Sequence, residues 1–246
     1  MPTLIQLIDG EIPSKGKAYF ILERYDEADF EPVMAAAFSK AEGLGATELH
    51  LASRTEAFPT GADGFEIDGR TFSFETNFWI MEKELDPKQC LPAAGSFRVK
   101  KLAPWNLELY IALYQECFFT LPNSRTLNRE DGEVLLSDPS REAGFFMDGG
   151  APAGIFELDY SDPVPEIKSV ALLESYRGKG LGKPAMAFLE GKIADRGFTS
   201  CQVLVAEKNQ SAMALYTACG YRKKQLLSTW YCHRVSNTIR TAVFTA

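Results

Sequence analysis

Three glycines and two basic residues lie within the six positions from Arg177 to Gly182. Gly178, Gly180 and Gly182 have no Cβ, so the backbone there can adopt a positive φ and come close to a ligand. A helical pattern follows at once, and the first amides of a helix lack intrahelical partners and favour an anion. With the charges of Arg177 and Lys179, the turn is suited to a phosphate or pyrophosphate group.

The spacing excludes two better-known phosphate-binding loops. A P-loop requires GxxxxGK followed by Ser or Thr, but Gly182 is preceded five residues earlier by Arg177, and Lys183 is followed by Pro184. A dinucleotide fingerprint requires GxGxxG, and Lys183 stands where its third glycine should be. The alternative to phosphate binding is a turn whose glycines and cations serve folding alone. The turn by itself does not distinguish these two interpretations.

The elements around the turn follow from hydrophobic periodicity. The apolar run that starts at Ile167 predicts a strand before the turn. After the turn, apolar residues recur at the spacing of one helix face, namely Leu181, Ala185, Phe188, Leu189 and Ile193. Pro184 falls in the first helical turn, where a missing amide costs little, and Gly197 is placed to end the helix.

The composition is that of a globular chain with an ample core. Of its 246 residues, 46% are hydrophobic and 24% are charged. No apolar run approaches the length of a membrane span, and the start of the chain lacks the pattern of a signal peptide. We therefore expect a cytoplasmic protein without a membrane partner, and the five widely spaced cysteines predict reduced, mostly buried thiols.

The two histidines do not predict a metal site. His50 lies in a strand-like segment, and His233 stands next to Cys232. Adjacent residues on a strand point to opposite faces, so Cys232 and His233 do not form a ligand pair. We predict no metal in this protein.

Charge divides the chain into unlike halves. Residues 1–95 carry 8 Lys and Arg against 17 Asp and Glu, whereas residues 96–246 carry 18 against 16. An acidic half offers nothing to nucleic acid, and a slightly basic half that holds the glycine turn suits an anionic cofactor. We expect no nucleic-acid partner.

A cluster of turn-forming residues at 87–96 predicts the domain boundary, which divides the chain into residues 1–95 and 96–246. The first part reads as strand 17–25, helix 26–42, strand 47–53 and a hairpin around Asp68-Gly69. The second part reads as strand 96–102, helix 104–118, a polar segment with a shorter helix, and a hairpin around residues 148–150, followed by the glycine-turn segment.

A second segment, NQSAMALYTACGY at residues 209–221, decides between a phosphate-binding turn and a purely structural one. It follows a buried strand, Cys201–Ala206, and predicts a helix with a Gly220 stop. Here the chain resembles the GNAT acyltransferase superfamily. IKSVALLESYRGKGLG resembles the cofactor strand and R/QxxGxG/A turn of that family, and residues 209–221 resemble its NxxAxxLYxxxGF segment.

The resemblance implies an α/β fold of the GNAT type, with a mixed, mostly antiparallel central sheet flanked by helices. Residues 96–246 are then the catalytic domain. Residues 1–95 are either a degenerate second GNAT copy without a cofactor turn or an unrelated accessory α/β domain. The implied cofactor is acetyl-CoA, and the residues that the resemblance places against it are Val170, Ala171, Leu172, Arg177, Gly178, Lys179, Gly180, Leu181, Gly182, Asn209 and Tyr216.

The resemblance also implies the catalytic groups. Tyr216 matches the usual acid of the family, which protonates the departing sulfur. Glu166, at the start of the cofactor strand, matches the position from which some members draw a general base, with Glu157 on the previous strand as its rival. A backbone N–H near Leu172 would polarise the thioester carbonyl, and Asn209 is expected to cap its helix.

The implied function is direct transfer of an acetyl group to a primary amine of a small molecule, an amino sugar or a peptide, by a monomer or homodimer. A non-catalytic protein that binds acyl-CoA for regulation or assembly is the alternative. A third possibility is an interaction module that has lost CoA, and the intact turn argues against it.

Overall fold

The computed structural model describes residues 1–53, 58, 64–85, 98–121 and 124–235. The chain forms two compact units. The first unit comprises Met1–Asn77 and Leu227–Ala246, and the second comprises Phe78–Leu226. The predicted boundary at 95/96 lies outside the described residues, so the division into two domains at that position stays a prediction.

Eleven strands and six helices follow one another along the described part of the chain. In order they are β1 (Leu4–Ile8), α1 (Ile12–Lys15), β2 (Lys17–Arg24), α2 (Phe30–Gly43), β3 (Glu48–Ser53), β4 (Gly64–Ile67), β5 (Arg70–Glu84), β6 (Arg98–Lys101), α3 (Leu107–Phe118), α4 (Arg129–Ser137), β7 (Arg141–Asp148), β8 (Ala151–Asp159), β9 (Glu166–Leu172), α5 (Gly182–Asp195), β10 (Ser200–Ala206), α6 (Gln210–Ala218) and β11 (Arg222–Arg234).

In the first unit, α2 connects two parallel strands, β2 and β3. β1 adds to β2 antiparallel, and residues 229–234 of β11 add to β3 antiparallel. Apolar residues of α2 at helical spacing, Met34, Phe38 and Ala41, are fully buried against the strands, and the Phe38 ring lies 5.0 Å from that of Phe20. This spacing explains why the segment forms one amphipathic helix.

The second unit is built on a mixed, mostly antiparallel sheet. β6, β7, β8 and β9 pair antiparallel in sequence, β10 lies parallel to β9, and residues 78–84 of β5 pair antiparallel with β10. Adjacent residues of β7 enter different cores: Phe145 packs with α3 and α4, and Phe146 packs with α5. Helices therefore cover both faces of this sheet, as the predicted fold class requires.

The predicted hairpin turn at Asp68-Gly69 is confirmed. Asp68 has φ 49° and Gly69 has φ 68°, so both central residues are left-handed, and β4 pairs antiparallel with β5 across them. Two successive positive φ angles are characteristic of the type I′ turn that joins twisted strands tightly.

The helix predicted from residue 26 begins later, at Phe30. Residues 26–29 form a turn held by the N-terminal segment, because the Thr3 N–H donates to the Asp29 carboxylate at 3.0 Å and the Thr3 hydroxyl donates to the Asp26 carbonyl. β1 and α1 were not predicted. The helix predicted over 104–118 is divided between a 3₁₀ turn at Pro104–Asn106 and α3.

The thiols are only partly as expected. Cys117 and Cys201 are buried, Cys219 and Cys232 are half-buried, all four are free, and Cys90 lies outside the described residues. None of the helices within the described ranges has both the length and the apolar character that a membrane span requires.

Candidate active site

The site begins where β9 separates from β10. The two strands pair at one position, Gln202 with Glu166, beside a hydrogen bond from the Gln202 N–H to the Pro165 carbonyl. On its other side β9 pairs with β8 along its length, from Asp159 with Glu166 to Gly154 with Leu172. Among the described residues, the β10-facing edge of β9 therefore has no strand partner after Glu166, and its backbone groups can pair with an extended ligand.

A β-bulge lies just above that point. Ile167 pairs with Leu158 and Ser169 with Glu157, so Lys168 is the extra residue on β9. A bulge bends its strand and increases the local twist, which contributes to turning β9 away from its neighbour. Beyond the bulge, Val170 and Leu172 pack with the core that includes α5, and Ala171 packs with the opposite core.

The predicted glycine turn follows β9 and has the backbone that such a turn requires. Gly178 has φ +72° and Gly180 has φ +76°, a region that side chains with a Cβ rarely adopt. The Arg177 Nε–H donates to the Leu172 carbonyl at 2.8 Å, which ties the turn back to the end of β9. The strand and the turn thus form one local assembly.

The N-terminus of α5 carries no side-chain cap. Leu181 occupies the N-cap position and has no side-chain acceptor, so the first amides of the helix are not satisfied by their own cap. Lys179 and Lys183 flank this end of the helix, and the Lys179 ammonium lies 5.4 Å from the centre of the Tyr176 ring. Unpaired amides, the helix dipole and nearby cations together favour an anion at this position.

Gly182 has a different task from the two glycines before it. A Cβ at this position would lie 3.1 Å from Leu215 Cδ1 and 3.2 Å from Cδ2. The missing side chain lets the first turn of α5 approach α6 closely. The glycine turn is thereby anchored to the helix that carries Asn209 and Tyr216.

The expected helix cap at Asn209 is confirmed. The Asn209 side-chain oxygen accepts a hydrogen bond from the Ala212 N–H at 3.2 Å at the start of α6. Contact between Asn209 and a cofactor stays a prediction.

Tyr216, on α6, is 8% exposed, and its ring lies 5.8 Å from that of Tyr221. Burial, and to a lesser extent the charge of Cys219, raises the pKa of the Tyr216 phenol to about 12. The phenol therefore keeps its proton at neutral pH, as an acid must.

Glu166 lies where β9 and β10 part, among other charged groups. Burial raises the pKa of Glu166 above the ordinary glutamate value; Lys168 opposes the rise, and Asp159 and Glu157 add to it. The Lys168 ammonium is 3.8 Å from the Glu166 carboxylate and 3.2 Å from that of Asp159. A carboxylate with a raised pKa is the better proton acceptor at neutral pH.

Its rival Glu157, on β8, is paired with an arginine. Glu157 is 6% exposed, and its Oε1 accepts a hydrogen bond from Arg141 Nη1 at 2.5 Å. The Arg141 guanidinium therefore engages one lone pair of the Glu157 carboxylate.

One part of the site was not predicted. An open cleft of about 410 Å³ is lined by Glu116, at the end of α3, and by Leu173, Glu174 and Ser175. Burial raises the pKa of the neighbouring Cys117 thiol, and the charge of Arg177 opposes the rise. The sequence around Glu116 does not predict its place in this cleft, because Glu116 lies far along the chain from residues 173–175.

Comparison with known proteins gives one family. Residues 100–221 match the family described as Acetyltransferase (GNAT) family. A sequence comparison with curated proteins finds no match.

Several solved structures share the fold over almost the whole chain. A conserved Staphylococcus epidermidis protein of unknown function has a TM-score of 0.63 at 15% identity, and the match covers 95% of this chain and 91% of that one. A GCN5-related N-acetyltransferase from Sphaerobacter thermophilus also has a TM-score of 0.63 at 15% identity and covers 95% and 76%. A tandem GNAT protein of the clavulanic acid biosynthesis pathway has a TM-score of 0.59 at 15% identity and covers 95% and 78%.

Replacing Gly182 by valine tests the close packing of α5 on α6. The added side chain must push against the Leu215 methyl groups, so we expect a loss of about 1–3 kcal/mol in the free energy of unfolding, measured with urea. The double variant Gly182→Val, Leu215→Ala should recover part of that loss, because the truncated partner leaves room. Strictly additive losses would contradict the contact.

Proposed function

Because residues 100–221 place the chain in the acetyltransferase (GNAT) family, we propose that the protein transfers an acetyl group from acetyl-CoA to a primary amine of a small molecule. The observation that carries the proposal is that three structural features lie close together in one segment of the chain. The edge of β9 that has separated from β10, the left-handed glycine turn and the uncapped start of α5 lie in that order within residues 166–182.

The residues present fit the cofactor. The edge of β9 that faces away from β8, at Val170, Ala171 and Leu172, would hold the pantetheine arm as an added strand, beside the Leu172 carbonyl that accepts from Arg177. The turn from Arg177 to Gly182 would hold the pyrophosphate, with Asn209 and Tyr216 on the adjoining helix α6. Acetyl-CoA supplies an acetyl group activated as a thioester.

Glu166 acts in this proposal as the general base. An amine must lose a proton to complete acyl transfer, and a partly buried carboxylate with a raised pKa accepts it directly or through water. Its position at the point where β9 leaves β10 puts it at the inner end of the proposed cofactor groove.

Tyr216 acts as the general acid, since its phenol is protonated at neutral pH and can donate to the departing sulfur. A backbone N–H near Leu172 would stabilise negative charge on the oxygen of the bound thioester carbonyl. The acidic cleft at Glu116 and Glu174 favours an acceptor that arrives as a cation. The first unit has no glycine turn of this kind among its described residues, so we assign it an accessory role.

Calorimetric titration with acetyl-CoA tests the cofactor. We expect the full chain to bind, and we expect Gly180→Val to weaken binding at least about tenfold, because valine strongly disfavours the left-handed backbone of the turn. Gly149→Val, which imposes the same kind of strain in the β7–β8 turn (Gly149 φ +59°), is the matched control and should bind normally. If the wild-type chain gave no heat at millimolar acetyl-CoA, every acyl-CoA function would be excluded.

The pH dependence of thiol release over a panel of amines tests Glu166. The base works when ionised, so kcat/KM should rise with pH through a pKa above the ordinary glutamate value, and Glu166→Gln should lose that rise along with about 10²–10⁴-fold in rate. Glu133→Gln, on the exposed side of α4, is the control. An unchanged profile in Glu166→Gln would contradict the assignment.

Replacing Tyr216 by phenylalanine tests the acid. We expect kcat to fall about 10²-fold or more, with acetyl-CoA binding retained, since only the proton donor is removed. Tyr160→Phe, which also removes a buried hydroxyl, should leave the rate unchanged. Normal turnover in Tyr216→Phe at all pH values would disprove this role, and acetyl-CoA binding without turnover of any amine would favour the non-catalytic alternative.

A further inference from the structure

A mixed cluster of ligand-type side chains lies in the first unit, away from the turn and strand described above. Glu48 and His50 are two residues apart on β3 and share a face, and Cys232 on β11 is the direct antiparallel partner of His50. The Glu48 Oε2, His50 Nε2 and Cys232 Sγ atoms all lie within 4.8 Å of one another. A carboxylate oxygen, an imidazole nitrogen and a thiol sulfur thus lie close together.

The separations of the three ligand atoms are close to those in a tetrahedral zinc site. Zinc bonds of about 2.0–2.3 Å separate neighbouring ligand atoms by about 3.3–3.6 Å in a tetrahedron. His50 Nε2 lies 3.2 Å from Glu48 Oε2 and 3.9 Å from Cys232 Sγ. Small rotations of the half-buried Cys232 and Glu48 side chains would complete the geometry.

The other nitrogen of His50 is already oriented. His50 Nδ1 lies 2.9 Å from the Glu75 carboxylate, so Nδ1 carries the proton toward Glu75 and Nε2 faces Cys232 and Glu48. Metal-binding histidines commonly donate their second ring N–H to a carboxylate in this way, which fixes the tautomer and the ring. The His50 side chain is 1% exposed, so the ring cannot easily turn away.

A buried hydroxyl without a partner stands beside the cluster. Tyr19 is the β2 neighbour of His50, is 6% exposed, and its ring lies 5.0 Å from the imidazole. Its hydroxyl has no hydrogen-bond partner among the described residues.

Two basic side chains already contact the Glu48 carboxylate, Lys17 at 3.4 Å and the exposed Arg234 at 3.6 Å. A divalent metal bound at Glu48 would displace them.

We propose that Glu48, His50 and Cys232 bind a divalent metal of the zinc class, with water or the Tyr19 hydroxyl as fourth ligand. Soft thiolate, imidazole and carboxylate together select zinc or cobalt over magnesium. Coordination uses the Cys232 thiolate and neutral Nε2, so binding releases protons to the buffer. The metal would join β3 to β11, two strands from distant parts of the chain, and its role is structural. This revises the prediction from sequence, which compared Cys232 only with its chain neighbour His233.

Cobalt titration of the chelator-treated full chain, with a thiol-free reductant, tests the proposal. We expect one equivalent of Co²⁺ to produce visible tetrahedral bands and a thiolate-to-cobalt charge-transfer band, both removed by Zn²⁺ and unaffected by excess Mg²⁺. Zn²⁺ should raise the melting temperature by binding the folded state.

Matched variants assign the ligands. Cys232→Ser should abolish the charge-transfer band and weaken binding at least about tenfold, whereas Cys219→Ser should not. His50→Gln should behave like Cys232→Ser, and His233→Gln like the wild type. Because His50 is buried, the half-exposed Glu48→Gln provides a variant that keeps the fold, checked by circular dichroism, and it too should weaken binding. An absent band at saturating cobalt, or a band that survives Cys232→Ser, would overturn the site.

Discussion

The separation of β9 from β10 is the constraint on which the proposed active site depends. Parallel strands normally share a regular ladder, and here the ladder stops after one pair, Gln202 with Glu166. The bulge at Lys168 and the tie from Arg177 to the Leu172 carbonyl hold β9 in that position from within its own segment. Because backbone geometry keeps this opening, the polar groups that it presents are backbone N–H and C=O groups. The side chains of Val170, Ala171 and Leu172 can therefore be apolar.

The three glycines of the turn illustrate two physical uses of one residue type. Gly178 and Gly180 are required by backbone conformation, since both have left-handed φ angles and face open space. Gly182 is required by packing, because Leu215 occupies the position of its missing side chain. The motif therefore couples an anion cradle to the placement of α6, and through α6 to Asn209 and Tyr216.

Burial raises the pKa of both candidate catalytic groups. It keeps the Tyr216 phenol protonated and makes the Glu166 carboxylate more basic. Desolvation disfavours the charged form of both groups, so one physical term prepares an acid and a base on separate elements. Glu157, the other candidate base, is paired with Arg141.

Local sequence was sufficient for the features that depend on local physics. The helices α2, α3 and α5, the Asp68-Gly69 turn, the Asn209 cap and the glycine turn each depend on about a dozen residues or fewer, and each is predicted from the sequence. The start of α2 was misplaced because Thr3, distant in sequence, holds residues 26–29 as a turn. Only the tertiary structure decided the pairing of Glu157 with Arg141, the cleft at Glu116, and the meeting of Cys232 with His50. These three features depend on strand register and helix packing, which bring together residues far apart in the chain. Such contacts produce no periodic pattern in the sequence around either residue.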